Sequence, residues 1–136
     1  MARGYRNFNP GNIRRSNVCY RGEKDSSDPD FKQFENMAWG FRAIFVLLNT
    51  YRVKYGLTTL QTMLNRYAPP VENDTTEYVN FVSARTRIAD IATIDTRNEK
   101  QMIPIVAAIA RMENGSDPDM DDVRAGWELY SKYGNS

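Results

Sequence analysis

At 136 residues, with 41% hydrophobic and 12% aromatic content, the chain is long enough to bury a real core, and a single domain is expected over residues 1–136. The absence of histidine excludes Ser-His-Asp and Cys-His catalysis, histidine-ligated zinc and imidazole proton shuttles, so any acid–base chemistry falls to carboxylates, tyrosine or lysine. A net charge of +1 argues against nucleic acid as a partner, and the single cysteine, Cys19, excludes an internal disulfide and reads as a passive, half-buried thiol.

The run Arg3 to Arg14 has neither helical nor strand periodicity and is expected to form a shaped loop. Asn7, Asn9 and Asn12 offer amides, Gly4, Gly11 and Pro10 fix turns, and Arg3, Arg6 and Arg14 with Tyr5 and Phe8 supply donors and flat apolar faces. Such a surface suits a polar polymer. Gly22 to Asp30 is polar and turn-forming, and Phe31 to Glu35 reads as a small strand or edge hairpin. From Trp39, Phe41, Ile44, Phe45, Leu48, Tyr51 and Tyr55 recur at helical spacing up to a capping Gly56. Thr58 or Thr59 caps a second helix carrying Leu60, Met63, Leu64 and Tyr67, which Pro69-Pro70 ends. Asn73, Asp74 and Thr75 offer caps for a third helix bearing Tyr78, Val79 and Val82. A long helix is expected from about Asn98 to Glu113, kinked at Pro104 and closed by Gly115, and a last one from about Asp121 to Tyr133. The fold class is therefore mainly α (α+β), a helical domain with a small irregular or β lobe. The longest apolar stretch, Ala43 to Leu48, is far short of a membrane span, and no apolar export signal follows Met1.

Among residues able to carry chemistry, Glu113 stands at the end of the long helix, where the carbonyls concentrate negative partial charge. That position and burial both favour the protonated acid, the state in which a carboxyl can protonate a departing glycosidic oxygen. Glu72 follows the stiff double proline and serves either as a second active-site carboxylate or as an acid at a helix N-terminus; Glu35 is a third candidate. Tyr67, Tyr78, Tyr5 and Trp39 are able to stack on sugar rings, although aromatics at helical spacing also build cores.

Four segments taken together resemble phage and prophage proteins of the lysozyme-like, peptidoglycan-cleaving kind. They are Arg3 to Arg14; Phe31-x-x-Phe34 with Gly40-x-Arg42-Ala43; Arg66-Tyr67-Ala68-Pro69-Pro70-x-Glu72-Asn73-x-Thr75-x-x-Tyr78; and Glu113-Asn114-Gly115. The chain is also similar to lytic transglycosylases, whose Glu-Ser-Gly helix end, glycine-containing loop and Glu-Thr-x-x-Tyr-Val helix come in that order. Here Glu113-Asn114-Gly115 lies last and Asn9-Pro10-Gly11-Asn12-Ile13 first, so the resemblance implies a circularly permuted lysozyme-like domain. It requires Glu113 to lie within side-chain reach of Asn12 and Tyr78. It further implies cleavage of the β-1,4 bond between N-acetylmuramic acid and N-acetylglucosamine, with Glu113 as general acid, Glu72 assisting, and Asn12, Arg14, Tyr67, Tyr78 and Asn73 along the groove. No metal or organic cofactor is implied. Peptidoglycan and other virion proteins are the implied partners, and a virion or the host cytoplasm the place of origin for action at the bacterial wall. A structural module that binds wall without cutting it is the alternative. Asn114 and Asn73 depart from the Ser and Thr of the transglycosylase pattern, removing a hydroxyl expected to orient the acid.

Overall fold

The computed structural model describes residues 1–135, which form six helices and a two-stranded sheet. Contrary to the expected loop, the chain opens with one helical turn, α1 (Arg3–Arg6), after which Phe8 and Asn12 adopt left-handed backbone conformations. A run this short carries no periodicity long enough to announce one turn of helix. The hairpin is present: β1 (Glu23–Lys24) pairs antiparallel with β2 (Gln33–Phe34), with Glu23 opposite Phe34. An additional bridge joins Arg14 to Phe31, so the opening segment continues along the hairpin and the β lobe is built partly from the N-terminus.

The helices follow their caps. α2 (Met37–Tyr55) begins where the Asn36 side chain accepts the Trp39 N–H, and ends at Gly56 with φ +66°. α3 (Leu60–Tyr67) starts from a reciprocal capping box between Thr59 and Thr62. α4 (Thr75–Thr86) is capped by Asp74, while Thr75 instead donates its hydroxyl to the Ala68 carbonyl at 2.5 Å and ties α4 back to the end of α3. α5 (Glu99–Asn114) takes Asn98 as its cap, contains Pro104 and terminates at a left-handed Gly115; α6 (Met120–Tyr133) is capped by Asp119.

A single cluster of buried side chains links the helices. α6 lies along α2 and α5 along α4. At the α2–α6 contact Phe45 meets Trp127 edge-on at 5.2 Å and stacks on Tyr130 at 5.8 Å, while the Tyr130 hydroxyl donates to the Thr96 carbonyl. Cys19 is exposed rather than half-buried, because the residues from Arg14 to Cys19 lie at the surface and it is the next residue, Tyr20, that turns in against Phe34. Among the described residues no helix is long and apolar enough to cross a membrane.

Candidate active site

The site is built where the N-terminal segment meets the end of α5. Asn9, fully buried, folds that segment around its own amide: Nδ2 donates to the carbonyls of Ile13 and Lys32, both at 2.9 Å, and Oδ1 accepts the Ile13 N–H. Asn7 adds the hairpin, its carbonyl accepting the Phe34 N–H. Arg3 forms a two-pronged pair with Asp28 at 2.6 and 2.7 Å, and Asp28 also accepts from Asn7. The Arg3 guanidinium holds the Asp28 carboxyl well below the usual carboxylate range.

Asn114 then clamps the segment to α5. Its Nδ2 donates to the Pro10 carbonyl at 2.8 Å and to the Ala110 carbonyl at 2.9 Å, and its Oδ1 accepts the Tyr5 N–H at 3.1 Å. Glycine at position 4 permits this approach, since a Cβ there would meet Asn114 Oδ1 and stand 2.8 Å from Asn12 Oδ1. From the other side the Tyr67 hydroxyl donates to the Gly11 carbonyl at 2.5 Å. Burial, and then the nearby Glu113 charge, hold the Tyr67 phenol protonated far into alkaline conditions, so it stays a donor.

This framework delivers Asn12 to Glu113. Asn12 Nδ2 donates to Glu113 Oε1 at 3.1 Å and the Tyr78 hydroxyl donates to Oε2 at 2.8 Å, so the two oxygens of one carboxyl are held from the N-terminal segment and from α4. The required proximity of Asn12, Tyr78 and Glu113 is thus present. Desolvation raises the Glu113 pKa above its ordinary 4.5; the Asn12 and Tyr78 hydrogen bonds and the Arg14 charge oppose it without cancelling it. Tyr78 is only 3% exposed, which makes it a support behind the carboxyl rather than a stacking face along a groove.

A cleft of about 310 Å³ opens in front of Glu113. Asn12, Arg14, Tyr67, Glu72 and Asn73 all line it, with Tyr78 behind, so the structure brings together the residues expected along the groove but not Tyr5, Trp39 or Glu35. Glu72 sits in the turn before α4, neither on a helix nor at its cap, and faces Arg14 at 3.5 Å with about half its side chain exposed. Tyr5 and Trp39 lie elsewhere: the Tyr5 hydroxyl donates to the Ser116 carbonyl, and Trp39 packs on Tyr133. Glu35 lies just past β2, exposed, with its N–H on the Gly22 carbonyl. Phe31, Tyr51, Arg66 and Pro69 also line the cleft without having been singled out as site residues. Phe31, Tyr51 and Arg66 read as strand or helix residues and Pro69 as a helix stop, and only the fold brings them to the cleft. Among the described residues no group of three or more His, Cys, Asp or Glu side chains is placed to hold a metal ion.

No protein-family model matches the chain. Protein P5 of Pseudoalteromonas phage PM2 is 38% identical over 132 residues, an alignment covering 93% of this chain and 81% of the phage protein.

Proposed function

We propose, for a chain that belongs to the same family as Protein P5 of Pseudoalteromonas phage PM2, a muralytic glycosidase that cuts the N-acetylmuramic acid to N-acetylglucosamine bond with Glu113 as its general acid. One observation carries this reading: a half-buried carboxyl with a raised pKa, held on both oxygens by Asn12 and Tyr78, in the wall of an open cleft. A rigidly held, protonated carboxyl is the group needed to donate a proton to the glycosidic oxygen as the C1–O bond breaks. Arg14 and the polar edge of the cleft suit a carboxylate-bearing glycan, and the Tyr67 ring offers a flat face to a sugar.

With Glu72 engaged by Arg14, Glu113 acts alone. After giving up its proton the Glu113 carboxylate takes the proton of the muramyl C6 hydroxyl, whose oxygen closes on C1 and leaves a 1,6-anhydro sugar. The lytic-transglycosylase resemblance supports this route. Tyr78 supplies a hydroxyl beside the acid, so the hydroxyl missing at Asn114 does not leave the acid unsupported.

The test is release of soluble fragments from purified sacculi, read by mass spectrometry, with wild type, Glu113→Gln and Glu72→Gln. Anhydro ends lost only with Glu113→Gln are expected. Reducing ends that need both carboxylates would assign hydrolysis with Glu72 as partner. Sacculus binding with no fragment release would leave a wall-binding module instead.

A further inference from the structure

We propose that Glu113 carries its transferable proton on Oε1, and that the side-chain amide of Asn12 turns over as that proton comes and goes. The turn rests only on the carboxyl and its partners, whereas its part in catalysis rests on the glycosidase reading.

The two carboxyl oxygens stand in different surroundings. Oε2 accepts from the Tyr78 hydroxyl, which is buried and absent from the cleft lining, whereas Oε1 accepts from Asn12, which lines the cleft. Glu113 is the sole hydrogen-bond partner of the Tyr78 hydroxyl among the described residues. A proton on Oε2 would have to be donated to that hydroxyl, leaving the phenolic hydrogen buried without an acceptor. A proton on Oε1 leaves the Tyr78 bond as it is.

Asn12 shows the complementary mismatch. Its Nδ2 donates to Oε1 at 3.1 Å, which suits a carboxylate and opposes a hydrogen on the same oxygen. Its Oδ1 is buried and meets no donor among the described residues. What borders Oδ1 is acceptors: Asn114 Oδ1 and the Asn9 carbonyl share with it the space over Gly4, where a Cβ would stand 2.8 Å from Asn12 Oδ1 and 2.9 Å from the Asn9 oxygen. Half a rotation of the amide puts its carbonyl on the Oε1 hydrogen and its NH2 beside those acceptors. It gives up only the long 3.4 Å contact from Nδ2 to the Glu113 carbonyl, and no proton moves in the turn. In the cleavage step the Oε1 proton passes to the glycosidic oxygen as the C1–O bond breaks, and Asn12 Nδ2 takes its place beside the new carboxylate. When the C6 hydroxyl proton returns to Oε1, the amide turns back. Asn12 is thus a positioning residue that serves both charge states, where Tyr78 favours only the ionised one.

The other titratable groups at the cleft are the phenols of Tyr51 and Tyr67, with Tyr78 behind, and burial keeps all three protonated past neutrality. The charged side chains are Arg14, Arg66 and Glu72, all exposed, and α1 and α6 contribute none to the cleft. Glu72 is the other carboxyl present, so the titration has to be read at Glu113 itself.

Nuclear magnetic resonance of the isotope-labelled full chain tests the turn, with Glu113 followed through its carboxyl carbon from acid to alkaline pH and Glu113→Gln as a second sample. Glutamine there offers one donor and one acceptor at every pH, as the neutral acid does. Above the Glu113 titration the Asn12 amide protons are expected to show Overhauser contacts to Glu113. Below it they lose those contacts and gain one to the Gly4 Hα, with the midpoint of the carboxyl carbon; in Glu113→Gln the Gly4 contact is present at every pH. An Asn12 amide whose contacts are the same above and below the titration overturns the proposal, and the wild type decides this without the variant. A Gly4 contact absent from a folded Glu113→Gln overturns it too. Fragment release from sacculi by a protein whose Asn12 amide stays fixed removes this inference alone. A turning amide without fragment release keeps the turn and removes the glycosidase reading.

Discussion

At the scale of single residues the decisive balance is on Glu113, where burial raises the pKa and two donors restrain the rise. Glu113→Gln keeps the shape and removes the transferable proton, so sacculus fragment release should fall by about 10²–10⁴-fold while the thermal transition survives. The general acid works only when protonated, so activity should decline on the alkaline side as Glu113 ionises, above its ordinary 4.5. Tyr78→Phe removes a hydrogen bond that favours the ionised form. The pKa then rises further and the alkaline limb of the pH–rate profile moves to higher pH; a limb that stays put or moves down would separate Glu113 from the observed titration. Asn9 is a different kind of residue, acting only through backbone. Asn9→Ala leaves the buried Ile13 N–H and the Lys32 carbonyl without their side-chain partner, while the Ile13 carbonyl keeps the Lys32 N–H, and should cost about 1–3 kcal/mol in denaturant unfolding.

Elements differ in how plainly the sequence announces them. α2, α3 and α5 were legible because residues of the right type mark their ends, the Thr59 side chain before α3 and left-handed Gly56 and Gly115 after α2 and α5, and because their apolar positions recur at helical spacing. The N-terminal turn α1 and the pairing of Arg14 with Phe31 were not, since both are fixed by contacts between segments far apart in the chain. The same distinction runs through the site. Glu113 is marked by its helix end, but the part played by Asn114 is visible only once Pro10 and Tyr5 stand beside it. Asn114→Ala cuts the clamp between the segment and α5 without touching the carboxyl. Stability should fall by about 1–3 kcal/mol, and activity should fall further than that loss explains, because Asn12 no longer arrives at Glu113. The hairpin side is held by Asp28, whose folded pKa is depressed by Arg3 below the ordinary 3.8. Its contribution is full above that ordinary value and is lost as pH falls through the folded one. Wild type should therefore destabilise on acidification more steeply than Asp28→Asn, in chemical unfolding followed across that range.

For the whole molecule, the question is whether the cleft and the core are one cooperative object. The catalytic candidate is on α5, its two partners are on the N-terminal segment and α4, and the buried side chains that position all three belong to one cluster. Phe45, Trp127 and Tyr130 close α2 on α6. Phe45 is fully buried, and Phe45→Ala at this contact should cost about 3–5 kcal/mol, a large share of the stability of a domain this size. If core and site are one unit, the variant unfolds in a single transition at lower temperature, with aromatic circular dichroism and sacculus activity lost together. Activity that disappears well before the aromatic signal would mean that the N-terminal segment opens on its own. That outcome is opposed by the ties that hold it: Asn9 to the hairpin, Tyr67 to Gly11 and Asn114 to Pro10 each cross from one element to another, so releasing the segment breaks contacts on three sides at once.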